Sequence, residues 1–251
     1  MEGGGGGDKG TVCVTGGTGY IASWLIMNLL QQEKKKDLSY LTALLGASKN
    51  LQIINAGLNK PDTLSAAISG CSGVFHLAHP IDLGGLESDE VITKRSLEGT
   101  LGILQSCVDS KTVKRVVYTS SAATVMFRGT DQGLMDERYW TDVEFYKEKK
   151  LMLSSYVISK TKTEMAVLEF ADKHGLDVVS VIPSLVVGPF ICPNLPSLVF
   201  MAMAMIFDKI EGFKTPSLSS KKLLDSGFKF KYGLDEMFDE AFLCCKEKGF
   251  L

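Results

Sequence analysis

Short apolar runs rich in β-branched residues alternate with longer stretches whose apolar positions recur every three or four residues. The short runs fall at residues 11–14, 51–55, 73–77, 113–120 and 178–182. Each predicts a buried strand, and Pro183 stops the last of them. Helical spacing over 20–30, 90–108 and 155–174 fills the intervals, with Gly175 placed where a C-terminal cap is expected. Strands that alternate with helices predict a parallel sheet covered on both faces, a doubly wound α/β fold. Past Pro183 the pattern changes. Pro189, Pro193 and Pro196 punctuate an irregular loop, residues 197–207 read as a Met-rich apolar helix, and helical patterns return over 220–226 and 234–248.

The first strand runs into Thr15-Gly16-Gly17-Thr18-Gly19-Tyr20-Ile21-Ala22. Gly16 and Gly17 permit a tight bend, and Gly19 lets a pyrophosphate approach the backbone N–H groups at the helix start. Ala22 is small enough for close helix–strand packing. A glycine turn by itself is weak evidence. One that follows a strand and opens a helix has the context that dinucleotide binding requires.

Tyr156 and Lys160, in Tyr156-Val157-Ile158-Ser159-Lys160, share one face of the helix predicted over 155–174. A free phenol titrates near ~10, and a neighbouring ammonium favours the phenolate, so the pair suits proton donation to a carbonyl. Spacing alone describes an ordinary helix face equally well. Tyr118-Thr119-Ser120-Ser121-Ala122 ends a predicted strand, where open α/β sheets hold their ligands. A hydroxyl there could hold a substrate carbonyl against Tyr156, or it could simply cap its own turn.

Glycine turn, strand-end serine and Tyr-x-x-x-Lys, in this order, resemble the extended short-chain dehydrogenase/reductases, and more narrowly the plant dihydroflavonol 4-reductase-like group. Gly73-Val74-Phe75-His76-Leu77-Ala78, Glu98-Gly99-Thr100-Leu101-Gly102-Ile103-Leu104 and Pro183-Ser184-Leu185-Val186-Val187-Gly188-Pro189-Phe190 carry the likeness further. So do Lys111-Thr112-Val113-Lys114-Arg115 and the tail Phe228-Lys229-Phe230-Lys231-Tyr232, so that nearly the whole chain is covered.

The resemblance implies an NAD(P)-binding Rossmann domain over 11–190, after a Gly-rich tail at 1–10 and before a reduced C-terminal substrate lobe at 191–251. It implies that Tyr156 is the proton donor, that Lys160 lowers its pKa and bonds the nicotinamide ribose, and that Ser121 orients the substrate carbonyl. The backbone around Gly16, Gly19, Tyr20 and Ile21 would hold the pyrophosphate. Leu77, Ala78, Pro183 and Leu185 would line the cofactor cleft, and Met126 falls where the family contacts its substrate. The implied activity is reduction, by NADPH, of a ketone of a flavonoid-type phenolic substrate, carried out by a monomer.

The chain departs from the family's pattern in two places. The helix over 20–30 runs into Gln31-Gln32-Glu33-Lys34-Lys35-Lys36-Asp37-Leu38 with no β-branched run, so the second strand and its ribose-phosphate Arg are absent. Asp37 stands at about the distance of an NAD-type acid, and Lys34, Lys35 and Lys36 could reach a 2′-phosphate or form a solvated helix end. Gly57 stands where the family has an Asp beside the adenine. Near 208–212 the body of the substrate lobe is missing. Loss of a strand would expose backbone edges and an apolar sheet face unless residues 38–45 fill the place. These losses motivate an alternative, a catalytically impaired reductase-like chain. A third reading is a sugar-nucleotide epimerase or dehydratase, since it shares the trio; Val186-Val187-Gly188-Pro189-Phe190 and the tail argue against it.

Composition narrows the partners. A net charge of -2, from 27 basic and 29 acidic residues, offers no excess to neutralise a nucleic-acid backbone. Six cysteines (Cys13, Cys71, Cys107, Cys192, Cys244, Cys245) without a CxxC pair, and three histidines without HExxH, predict reduced thiols and no metal site. Residues 1–10 lack the cationic and apolar regions of a signal peptide, and the longest apolar stretch is too short for a membrane span, so a cytoplasmic protein is expected.

Overall fold

The computed structural model describes residues 10–30, 39–44, 46–58, 61–81, 86–128, 133–149, 153–207 and 216–251. The Gly-rich tail up to residue 9, Lys34, Lys35, Lys36, Asp37 and the gap near 208–212 lie outside them. Four strands, β1 (Val12–Thr15), β2 (Gly73–His76), β3 (Arg115–Thr119) and β4 (Val178–Val181), form one parallel sheet in the order β1-β2-β3-β4. Thr15 pairs with His76, His76 with Tyr118, and Thr119 with Val181, so the strands end side by side.

Ten helices accompany the sheet among the described residues. They are α1 (Tyr20–Leu29), α2 (Ser39–Thr42), α3 (Ala47–Asn50), α4 (Pro61–Ile68), α5 (Asp89–Ser110), α6 (Val143–Glu148), α7 (Ser154–His174), α8 (Ser197–Phe207), α9 (Lys221–Asp225) and α10 (Leu234–Glu247). The Rossmann-type parallel α/β class expected from the sequence is therefore the one the chain adopts. Gly175 caps α7 in the left-handed region at φ 63°, the role its position predicts.

Each new strand is added on the same side, so the connecting helices α4, α5 and α7 lie together on one face. Strand residues of that face, Val74, Val116 and Tyr118, close a core with Leu64, Ile103, Leu104 and Val167, all nearly or fully buried. Alternation sends Val14, Phe75, Val117, Val179 and Val181 to the other face. There Val14 meets a second core, in which Ile26 and Met27 of α1, Tyr40 and Leu41 of α2, Val199 and Met203 of α8, and Ala241 and Cys245 of α10 are buried. At the far end of the same face Val179 and Val181 remain 40% and 46% exposed.

Residues 51–55, predicted as a strand, take no regular structure and pair with no strand among the described residues, and Ile53 and Ile54 are exposed. The physical reason is that no strand among the described residues lies beside this run, so it has no ladder to join. The described part of 38–45 forms α2 rather than a strand. Tyr40, Leu41 and Leu44 are buried, and the Tyr40 hydroxyl donates to the Thr18 carbonyl at 3.3 Å. That plugs the core beside α1 without extending the sheet.

Residues from the expected substrate-lobe remnant share the α1 core. Ile191, Val199, Met203, Ala241 and Cys245 are buried with Ile26 and Met27. Just ahead of that segment the Tyr20 hydroxyl donates to Gly188 O at 3.0 Å and Trp24 Nε1 to Pro189 O at 2.8 Å, and within it Lys248 Nζ donates to Cys192 O at 3.1 Å. The family-like tail is left on the surface, with Phe228, Phe230 and Tyr232 exposed. All six cysteines are free, and burial pushes the Cys13 thiol to about 11 and Cys107 to about 12, so both stay protonated at neutral pH. No described helix is long and apolar enough to cross a membrane, and no described cluster of His, Cys, Asp and Glu could hold a metal ion.

The two sheet faces should respond differently to truncation. Ile103→Ala, in the sealed core, is expected to cost about 2–5 kcal/mol in urea unfolding, whereas Val179→Ala should stay within about 0.5 kcal/mol. Equal losses would mean that the second face is covered in solution.

Candidate functional site

The glycine turn is built by close approach. Gly16 has φ 70°, and a Cβ there would lie 3.0 Å from both the backbone N and Cα of Ala78. Gly19 N–H donates to Gly16 O at 2.8 Å and closes the bend. Helix α1 then starts with Gly19 as its N-cap, with no side chain capping it and no acid in the first turn. The first N–H groups of the helix, among them those of Tyr20 and Ile21, thus face outward uncompensated, which favours an anion. The pyrophosphate of a dinucleotide fits this cradle.

Thr15 ties the turn to β2. Its Oγ1 accepts from the backbone N–H groups of Leu77 and Ala78, both at 3.1 Å, and lies 2.8 Å from His76 Nδ1. With both lone pairs taken, the hydroxyl must donate to Nδ1. His76 therefore carries its proton on Nε2 and donates it to Thr100 Oγ1 at 3.0 Å. This ring is fully buried, and burial, with Lys160 nearby, holds its pKa down at about 3.

The expected reacting residues converge at the strand ends. Tyr156 and Lys160 project from the first two turns of α7. Ser121 sits two residues past β3, starting a 3₁₀ turn in which its Oγ accepts from Ala123 N–H at 3.2 Å. The Ser121 hydroxyl lies close enough to the Tyr156 phenol to draw its pKa down. Lys160 is 4% exposed and donates through Nζ to Thr119 O at 2.7 Å, with its ammonium 5.3 Å from the centre of the Tyr118 ring.

Burial pushes the Tyr156 phenol above its ordinary range, and the Ser121 hydrogen bond is the influence that draws it down. The Lys160 ammonium donates to the Thr119 carbonyl, and burial brings its own pKa to about 8.

The other expected residues fall around this centre. Leu77 and Ala78 follow β2 beside the turn. Pro183 accepts through its carbonyl from Ala122 N–H at 2.8 Å, next to Ser121. Met126 is half-buried beyond the 3₁₀ turn. Leu185 lies further off and packs on the α1 core. Tyr20 uses its side chain to anchor Gly188, leaving its backbone for the cradle.

Sequence reasoning missed His79 and Glu164. His79 sits edge-on to the Tyr156 ring, centroids 5.7 Å apart. Ser159 Oγ donates to Tyr156 O at 3.1 Å, so His79 Nε2 donates to Ser159 at 3.0 Å and His79 Nδ1 accepts from Ser96 at 3.1 Å. Thr163 completes the chain by donating to Ser96 at 2.9 Å. Glu164 is buried one turn beyond Lys160. An acid on the buried side of a helix was the available signal for Glu164, and a His directly after the Gly73–Ala78 motif for His79.

Comparison with known proteins bears on this site. Residues 12–215 match the NAD dependent epimerase/dehydratase family, and the chain belongs to that family of NAD(P)-binding, extended short-chain dehydrogenase/reductases. Among its relatives, vestitone reductase of Medicago sativa is 38% identical over 322 residues, covering 97% of this chain and 99% of the relative. Protein BRI1-5 ENHANCED 1 of Arabidopsis thaliana is 40% identical over 97% of this chain and 90% of its own length, and a dihydroflavonol 4-reductase of Callistephus chinensis is 35% identical over 96% and 88%. The crystal structure of alfalfa vestitone reductase superposes with a TM-score of 0.85 at 37% identity, covering 97% of this chain and all of that one. The NADPH complex of yeast methylglyoxal/isovaleraldehyde reductase shares the fold, with a TM-score of 0.76 at 18% identity over 96% of this chain and all of the yeast one. An alignment of 322 positions exceeds the 251 residues present here, so this chain is shorter than vestitone reductase through internal segments.

Neutral His76 makes stability pH-dependent. The unfolded ring binds a proton near 6.5 and the folded ring only near 3, so stability is lost as pH falls from 6.5 towards 3. Between pH 7 and pH 5 the expected loss from His76 is about 2 kcal/mol. Urea unfolding at the two pH values measures it, and a His76→Asn variant should lack that share of the dependence.

Proposed function

We propose that this chain is an NADPH-dependent reductase that converts a ketone of a flavonoid-type or related phenolic substrate to the alcohol. The observation that carries the reading is the convergence of Ser121, Tyr156 and Lys160 at the strand ends, beside a helix start whose N–H groups are uncapped. Relatives named as reductases support the class of reaction.

The backbone at Gly16, Gly19, Tyr20 and Ile21 would hold the pyrophosphate, and Leu77, Ala78, Pro183 and Leu185 would border the rest of the dinucleotide. The chemistry the cofactor supplies when bound is a hydride for the carbonyl carbon. Ser121 orients the carbonyl oxygen towards Tyr156, and Met126 borders the substrate. Tyr156 donates its phenolic proton to that oxygen as the C–O double bond becomes a single bond. Its raised pKa keeps it protonated at neutral pH, which is the state a general acid needs. Lys160, with donors beyond the one given to Thr119, bonds the ribose and stabilises the phenolate left behind.

A second reading, a reductase-like chain without turnover, draws on the unpaired run at 51–55 and the open sheet face at Val179 and Val181. Positioning carries much of an enzyme's rate, and both features touch it.

Titration with NADPH and NADH, followed by quenching of Trp24 and Trp140, separates the two. Saturable binding that favours NADPH, with turnover of a phenolic ketone, supports the reductase; a folded chain that binds neither supports the second reading. Tyr156→Phe should lower kcat by about 10²–10⁴-fold with NADPH affinity retained. Gly16→Ala should abolish binding, since its Cβ meets backbone that cannot move aside.

A further inference from the structure

Glu164 stands one helical turn beyond Lys160 on α7 and is 1% exposed. Both of its carboxylate oxygens are engaged. Ser120 Oγ donates to Oε2 and Ser180 Oγ to Oε1, each at 2.5 Å. Ser120 follows the end of β3 and Ser180 belongs to β4, so one side chain joins the helix to two neighbouring strands. Ser120 also lies between Thr119, whose carbonyl holds Lys160, and Ser121, which reaches Tyr156.

A buried carboxylate is costly unless it is hydrogen-bonded and compensated by a cation. The hydroxyls supply the hydrogen bonds, and the buried ammonium of Lys160 supplies the cation. We propose that Glu164 is the positioning residue of this site: held by Ser120 and Ser180, it clamps α7 to the sheet and provides the buried counter-charge that keeps Lys160 an ammonium ion. The proposal rests, for its consequence in catalysis, on reading Tyr156 and Lys160 as the reacting pair.

The surroundings of Lys160 leave Glu164 as the anion that faces it. From α7 come Tyr156 and Glu164, from β3 the Tyr118 ring, and from β2 and the residues after it His76 and His79. Both histidines have their pKa lowered by burial and are neutral at pH 7, and both phenols are pushed upward. Helix α5 faces these histidines with the hydroxyls of Ser96 and Thr100. Burial drives Lys160 down to about 8, and Glu164 opposes that fall. Without the carboxylate, Lys160 would give up its proton at lower pH, and with it the charge that stabilises a phenolate.

The test is a titration of Lys160 in the whole chain, labelled with ε-¹³C-lysine and followed by NMR, with a Lys160→Met sample identifying the resonance. In Glu164→Gln, which keeps size and hydrogen bonding but removes the charge, the midpoint should fall by about 1 unit or more from its wild-type value. An unmoved midpoint in the folded variant overturns the proposal. If Glu164→Gln does not fold, Glu164→Asp, which withdraws the charge by one methylene, should show a smaller fall, and no fall has the same meaning. This measurement needs neither cofactor nor substrate, so absence of NADPH binding would remove the reductase reading without deciding the counter-charge. Where turnover is present, the alkaline limb of kcat/KM should move to lower pH in Glu164→Gln. A rate reduced equally at every pH would mark a purely structural residue and would also overturn the proposal.

Discussion

In-register parallel pairing places the carboxyl ends of β1 to β4 along one edge of the sheet, and each part of the site is fastened to one of those ends. Thr15 closes β1 and binds the backbone that follows β2 through its hydroxyl. Thr119 closes β3 and receives Lys160, and Ser180 near the end of β4 receives Glu164. A slip of one residue between β1 and β2 would turn Thr15 to the opposite face and leave His76, Leu77 and Ala78 without their partner. The hydrogen bonds of the site and the register of the sheet are thus one constraint, satisfied together or lost together.

Most of the fold was legible because the patterns were strong. The four paired runs are β-branched and bounded by turn residues, and α5 and α7 carry helical spacing long enough to be unambiguous. The run at 51–55 has the same local character, yet whether it pairs depends on a neighbouring strand, and none stands beside it among the described residues. Periodicity reports which face a residue prefers and says nothing of what stands beside it. The short α2, α3, α4 and α6 were missed for the same reason, since helices of so few residues are held by tertiary contacts such as Tyr40 to Thr18 and Asp142 N–H to Phe127 O.

At the site, the residues proposed to touch substrate or cofactor lie in recognisable motifs, whereas those that support them do not. Ser120, Ser180 and Glu164 are far apart in sequence and meet only through the crossover from β3 to β4. Spacing placed Tyr156 and Lys160 on one helix face but could not give the direction in which a flexible ammonium points. The Thr119 carbonyl, a backbone atom, supplies the partner it takes.

The contact between Gly16 and Ala78 carries a meaning for how such a chain can change. The atoms that exclude a side chain at 16 are the main-chain nitrogen and α-carbon of residue 78, which every amino acid possesses. No substitution at 78 could therefore make room, and the two positions cannot compensate for one another as paired side chains do. Sequence drift can erode the lobe around the turn, alter its neighbours and even remove a strand, but the turn itself has no neighbouring route by which to vary.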